Sequence, residues 1–280
     1  MAIKRQVLSN FFVFTFILLV GMGSFDCGGE ADRANKTNEQ DYTKEYTPPV
    51  PEGNEWKLVW SDEFNGTELD ESKWETPVGK RRDGYWLKED SYLDGSGNLI
   101  IRTKKDGDRY TSGAIRTRGK FEHKFGYWVA RCKFHTQEGH WPAFWLFSNP
   151  GVYTVGNEGR DGTEIDIMEK AWSKEDKINH ALHWDGYGKD HKSVANQVII
   201  PGLSNGFHTF GLHWKSDEYV FYIDGKETWR TNEGGVSQVN AYIKLTEEIG
   251  KWAGDIKNAA LPDFFVVDYV RVYEMVNKNR

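Results

Sequence analysis

Asp161-Gly-Thr-Glu-Ile-Asp-Ile-Met-Glu169 reads as a β-strand that carries acids along one face. Side chains at i and i+2 share a face of a strand, so Glu164 and Asp166 point one way while Ile165 and Ile167 point into a core. Glu169 stands five residues beyond Glu164, and an unbroken strand would turn it to the opposite face. One inserted residue at Ile167-Met168, a β-bulge, returns it to the side of the other two. A lone carboxylate forced into the core would be costly, so a bulge or an early strand end is the favoured outcome. Three acids then line one groove within about 13 Å of backbone, and the reach of two Glu side chains brings the outer pair toward ~5 Å. At that separation one carboxylate can act as nucleophile and the other as acid/base in a glycosidase that retains configuration. The acid between them can share a proton with a neighbour and tune both. On spacing alone, the solvated polar face of an edge strand is the plain alternative.

Working outward, the same short alternating or apolar runs recur. Examples are Lys57-Leu-Val-Trp60, Asn98-Leu-Ile-Ile-Arg102, Tyr127-Trp-Val-Ala-Arg-Cys-Lys-Phe134, Ala143-Phe-Trp-Leu-Phe147, Ile178-Asn-His-Ala-Leu-His-Trp184 and Phe264-Phe-Val-Val-Asp-Tyr-Val-Arg-Val-Tyr273. Gly, Asn and Asp separate them, and many of their residues are β-branched or aromatic. Ile223-Asp224-Gly225-Lys226 is a hairpin turn signal. No stretch sustains a helical period. The chain is therefore expected to be all-β, with two packed antiparallel sheets rather than a small barrel.

Composition narrows the function. Lys plus Arg number 36 against 42 Asp plus Glu, a net charge of -6, so no basic footprint for nucleic acid is present. Aromatic residues make up 15% of the 280, with 12 Trp. Trp carries a polar N–H and is rarely fully buried, so such a surplus points to a surface that stacks flat ligands such as sugar rings. A Trp-rich sandwich core is the other reading. The acids fit the first, because His140-Trp-Pro-Ala-Phe-Trp145 precedes them and Trp172 follows. The two cysteines, Cys27 and Cys132, are not expected to form a disulfide, since the first lies in an export segment.

That segment opens with Lys4 and Arg5, followed by the apolar run Phe11 to Gly23. The run is short for a membrane span and fits a signal peptide. Cys27 close behind it resembles the lipidated cysteine of a bacterial lipoprotein signal, although Phe25 and Asp26 stand where small residues are usual. Residues 28–54 are polar, contain few apolar groups and end in Pro48, Pro49 and Pro51, which predicts a disordered tether. The expected plan is a lipoprotein-type signal over 1–27, a tether over 28–54 and a domain over 55–276. An outer-membrane or cell-surface lipoprotein, membrane-bound through its lipid, is the location this implies.

Trp141-Pro-Ala-Phe-Trp-Leu-Phe147, Glu164-Ile-Asp-Ile-Met-Glu169 and Val267-Asp-Tyr-Val-Arg-Val-Tyr273 together resemble glycoside hydrolase family 16. Asp62-Glu63-Phe64 and Phe125-Gly-Tyr-Trp-Val-Ala-Arg131 fit its other blocks, so the resemblance runs from about residue 56 to 274. It implies a β-jelly-roll with a concave cleft and endo-hydrolysis of a polysaccharide with retention, needing no cofactor. It further implies Glu164 as nucleophile, Glu169 as acid/base and Asp166 as the helper between them. Trp141 and Trp145 would build the cleft floor, with Trp172 beside it and His183 hydrogen-bonded near the site; a satisfied structural histidine is the plain alternative for His183. Arg116 and Arg118 would hold substrate hydroxyls or else form surface ion pairs. By the same resemblance a structural calcium would be held by Asp268, with Glu63 and Gly97 contributing.

Two loops depart from the commonest laminarinase pattern, Gly151–Arg160 and His183–His191, and loops set subsite shape on such a scaffold. Lys80-Arg81-Arg82 would sit on the rim, either as a solvated charge run or facing an anionic polysaccharide. The leading expectation is an endo-β-glucanase for β-1,3 or mixed β-1,3/1,4 glucans, acting as a monomer. An endo-β-galactanase for agar-type, porphyran-type or host glycan chains is the second. A non-catalytic sugar-binding jelly roll is the third, disfavoured because a lectin has no use for two convergent carboxylates.

Overall fold

The computed structural model describes residues 50–52, 55–134 and 137–276. The expected signal segment, Cys27 and the tether as far as residue 49 lie outside the described residues. Among those described, seventeen strands and a few 3-10 turns make up the regular structure.

In chain order the first are β1 (Trp56–Asp62), β2 (Gly79–Arg81), β3 (Gly84–Trp86), β4 (Ser91–Leu93), β5 (Leu99–Asp106) and β6 (Arg109–Ser112). Next come β7 (Ala114–Arg116), β8 (Gly126–Lys133), β9 (His140–Phe147), β10 (Glu164–Glu169), β11 (Lys177–Trp184) and β12 (Lys192–Ile199). The chain closes with β13 (His208–Trp214), β14 (Tyr219–Ile223), β15 (Lys226–Thr231), β16 (Tyr242–Ile249) and β17 (Asp263–Met275). One sheet has the order β12-β11-β10-β9-β16-β7. The larger sheet follows β15-β14-β13-β8-β17-β5-β6-β3-β2, with β1 on β17 and β4 on β5. This is the two-sheet sandwich expected of the alternating runs and the jelly roll that the resemblance implies. One pairing departs from the antiparallel rule: β3 runs parallel to β6, with Tyr85 beside Thr111. The hairpin forms where its turn signal lies. Ile223 pairs with Lys226 across Asp224 (φ 49) and Gly225 (φ 74), two positive-φ residues whose twist matches that of the strands.

The core lies between the sheets. Phe144, Leu146, Ile165, Ile178 and Leu182 of the six-stranded sheet face Trp128, Phe210, Phe221, Phe265 and Val270 of the other, and all are fully buried. Fully burying a side chain of this kind contributes about 1.5–3 kcal/mol, which makes this interface the main source of stability.

Tryptophan usage corrects the composition reading. Trp74, Trp86, Trp128, Trp145, Trp184 and Trp214 are all buried, so the fold itself consumes half of the twelve. Several of their polar N–H groups are met inside: Trp74 donates to Asp62 Oδ2 at 2.7 Å, Trp86 to the Glu247 carbonyl at 2.9 Å and Trp128 to the Phe125 carbonyl at 2.9 Å. The Asp62-Glu63-Phe64 block is thus partly explained by packing. Val50 packs against the cluster of Tyr127, Val129 and Tyr269, and Trp56 Nε1 donates to the Pro51 carbonyl at 3.2 Å. Those contacts place Val50 and Pro51 of the expected tether on the surface of the domain.

Candidate active site

Period-two alternation gives the six-stranded sheet an inner apolar face and an outer polar one. On β10, Glu164, Asp166 and Glu169 take the outer face, while Ile165, Ile167 and Met168 are buried in the core. The register to β11 runs Glu164 to His183 and Asp166 to Ala181, then shifts so that Glu169 meets Asn179. The register to β9 shifts at the same place, between Asp166 and Met168. The predicted bulge is present at Ile167-Met168.

Each acid has a different environment. Glu169 is 8% exposed, and its carboxylate accepts from Trp141 Nε1 at 3.0 Å and from Asn179 Nδ2 at 2.7 Å. Burial, with repulsion from Asp166 and Glu164 behind it, outweighs those two donors and raises Glu169 to about 8. Asp166 is 3% exposed and raised well above the carboxylate range, first by burial and then by Glu164. Its Oδ2 is buried and lies 3.4 Å from His183 Nε2. Glu164 is half-buried, and the Tyr187 hydroxyl donates to its Oε2. Burial, and then the charge and hydrogen bond of Glu164, drive the Tyr187 phenol far above its ordinary range. Near neutral pH the constellation therefore holds a protonated Glu169, and a phenol braces Glu164 beside it.

The expected cleft residues assemble in part. Trp141 touches Glu169 and meets Trp252 edge to face at 4.5 Å. Trp172, Trp252 and Asn179 line a recess of about 150 Å³ with Glu169. His183 sits beside Glu164 and Asp166, its Nδ1 3.0 Å from His191 Nε2. Glu164, Asp166 and His183 also bring one donor atom each within 4.8 Å of one another. Trp145 lies in the floor, but its ring is not open: the Lys244 ammonium sits 3.5 Å from its centroid and its Nε1 donates to Thr246 Oγ1. The Arg82 guanidinium covers Trp141 in the same way at 4.3 Å. The two loops singled out in the sequence meet at the Glu164 end, where Tyr153 and Tyr187 pack edge to face at 5.8 Å.

Three further groups of expected residues carry partners of their own. Arg116 does not reach freely into the cleft, because Glu75 holds it in a bidentate pair at 2.7 and 2.8 Å and also takes Arg118 at 3.2 Å. Lys80-Arg81-Arg82 is not simply a solvated run, since Arg81 and Arg82 both pair with the buried Glu248. Of the residues expected to hold calcium, the Asp268 and Glu63 side chains already have cationic partners. Asp268 is committed to Arg131 and Glu63 to Arg271 in a bidentate pair, so an ion there would have to displace two guanidinium groups.

Sequence reasoning missed Asn179, Tyr187 and Lys244. Asn179 shares a strand face with His183, so the alternation that placed one would have placed the other. Lys244 stands in the row Asp166, Trp145, Lys244, Arg116 that crosses four neighbouring strands. It is 8% exposed, and burial brings it down to about 7 against the upward pull of Glu164.

The description "Glycosyl hydrolases family 16" matches residues 79–271. Glucan endo-1,3-beta-glucosidase A1 of Niallia circulans is 30% identical over 81% of this chain, which spans only 39% of that relative's length. The catalytic domain of an endo-1,3-beta-glucanase (laminarinase) from Thermotoga petrophila superposes with a TM-score of 0.68 at 29% identity, covering 80% of this chain and all of that one. A structure from work on endo-acting O-glycanases with which human gut microbiota initiate mucin breakdown superposes with a TM-score of 0.69 at 26% identity, covering 81% of this chain and 94% of the other.

Proposed function

The chain belongs to glycosyl hydrolase family 16, and on that premise we propose that it is a retaining endo-β-glycosidase cutting β-1,3 or mixed β-1,3/1,4 glucans. The observation that carries the reading is the division of labour between the outer acids: Glu169 is protonated near neutral pH, and Glu164 accepts a hydrogen bond from Tyr187. Glu169 gives its proton to the glycosidic oxygen as the Glu164 carboxylate forms a bond to the anomeric carbon, and the leaving sugar departs with that proton. Glu169, now ionised, takes a proton from water, whose oxygen displaces Glu164 and restores the first configuration. Asp166 between them is raised by burial and by Glu164, which opposes a second negative charge beside the nucleophile. A lectin would gain nothing from a buried carboxyl kept protonated beside a second acid.

A second reading, an endo-β-galactanase for agar-type, porphyran-type or host O-glycan chains, is favoured by the cations over the cleft tryptophans. Lys244 on Trp145 and Arg82 on Trp141 suit sugars with anionic substituents better than a neutral glucan. Digestion of laminarin, lichenan, agarose, porphyran and mucin glycans with product sizing separates the two. Mid-chain cleavage of laminarin or lichenan is expected. Cleavage of a galactan alone would overturn the substrate and leave the chemistry standing, and no new reducing ends from any of them would sink both.

The proposal extends to location. The basic, apolar and cysteine-ended order of residues 4–27 supports export and a lipid on Cys27 that holds the enzyme at a membrane. Cys27→Ser is expected to move the protein from the membrane fraction to the soluble one; unchanged partitioning would remove the anchor.

A further inference from the structure

The bulge in β10 is held from its core side by a residue outside the acid constellation. Asp166 pairs with Ala181 and Glu169 with Asn179, so Ile167 and Met168 together face one residue of β11, His180. Toward β9, Asp166 faces Trp145 and Met168 faces Phe144, which leaves Ile167 as the extra residue. Ile167 and Met168 both bury their side chains in the core.

His180 is fully buried beside them. Its Nδ1 lies 2.7 Å from the Ile167 carbonyl oxygen, and its Nε2 lies 2.9 Å from Thr228 Oγ1. A carbonyl oxygen can only accept, so Nδ1 carries the proton and Nε2 is the acceptor; the Thr228 hydroxyl donates to it at 2.9 Å in competition with the Phe221 carbonyl at 3.3 Å. Thr228 belongs to β15, at the far end of the opposite sheet. Phe221 at 4.9 Å and the nearly parallel Trp229 at 6.5 Å flank the ring. Burial lowers His180 to about 4, so the ring stays neutral and its donor and acceptor keep their places at neutral pH.

We propose that His180 is a positioning residue for catalysis: its ring ties the carbonyl of the inserted residue to Thr228 of the opposite sheet and so fixes where Glu169 stands relative to Glu164. This rests on reading Glu169 as the proton donor. Only Met168 stands between Ile167, whose carbonyl is tied, and Glu169. The Glu169 carboxylate reaches both Trp141 and Asn179 only where the bulge sets it. A slip by one residue would carry it about 3.3 Å along the strand and away from both donors. A histidine that merely fills the core would cost stability when replaced and change nothing else.

The test compares His180→Leu, which removes both nitrogens, with His180→Asn, whose amide nitrogen stands near the place of Nδ1. Each variant is measured for melting temperature and for kcat and KM on the glycan that wild type cleaves. Titration of the Glu169 carboxyl is followed by NMR in protein carrying ¹³C at Glu Cδ, with Glu169→Gln to assign the signal. His180→Leu is expected to lower kcat by about 100-fold, the scale of a ~1 Å misplacement, with KM changed far less. It should also move the Glu169 titration away from about 8, and His180→Asn should recover most of both. A lower melting temperature with unchanged kcat and unchanged Glu169 titration would overturn the proposal, as would an equal loss in both variants. If His180→Leu does not fold, Thr228→Val takes its place: a shifted Glu169 titration supports the tie and an unshifted one refutes it. A wild type inactive on every glycan would defeat the functional reading, and the NMR titration would still decide the role of His180.

Discussion

Glu164→Ala and Glu169→Ala are expected to fail in different ways, and azide separates them. Without Glu164 no bond to the anomeric carbon can form, so turnover falls by about four orders of magnitude or more on every substrate, or ~5.5 kcal/mol of barrier. Azide can then enter from the vacated face and yield an α-glycosyl azide. Without Glu169 the nucleophile is intact, and an aryl glycoside that leaves without protonation still glycosylates Glu164. Hydrolysis of that adduct stalls for want of a base. Azide needs no base, so it restores turnover and gives a β-glycosyl azide after two displacements. Chiral identification of the products by NMR is the check. Should the two variants give the opposite anomers, the roles of the two acids are exchanged; no azide product from either would mean that no covalent intermediate forms.

The face shared by Glu164 and Asp166, and the bulge that brings Glu169 to it, were legible because strand parity is a local rule that nine consecutive residues can express. The sandwich was legible for the same reason. What escaped depended on contacts between residues far apart in the chain. Arg131 meets Asp268 across 137 positions and Arg271 meets Glu63 across 208, and nothing local announces that those acids are already neutralised. Lys244 escaped although Ile243 and Leu245 flank it with the alternation of a strand, because its meaning comes from Trp145 on the neighbouring β9. His180 falls on the core side of β11, where parity predicts an apolar filler, and only the two-against-one register of the bulge gives its ring a partner. The tryptophan surplus misled because it counted residues without their N–H partners. Six of the indoles are buried in the fold, several of them satisfied by interior oxygens.

The kcat/KM profile is expected to carry a basic limb at about pH 8, the value to which burial raises Glu169. The first step needs Glu169 protonated, so kcat/KM should fall about tenfold per pH unit above that point. Burial is the largest cause of the shift, with repulsion from Asp166 behind it. The donors that oppose burial give the sign of a second experiment. Asn179→Leu removes a hydrogen bond that favours the ionised form, so Glu169 rises further and the limb moves to higher pH; Trp141→Phe acts in the same direction and less strongly. Stability follows by linkage. A carboxyl whose folded value exceeds its unfolded one contributes stability that is complete below the unfolded value and lost as pH rises through the folded value. The melting temperature of wild type should therefore decline between about pH 5 and about pH 8 relative to Glu169→Gln, which has no such proton to lose. A kcat/KM profile flat from pH 7 to 9, or a limb that moves to lower pH in Asn179→Leu, would show that another group delivers the proton.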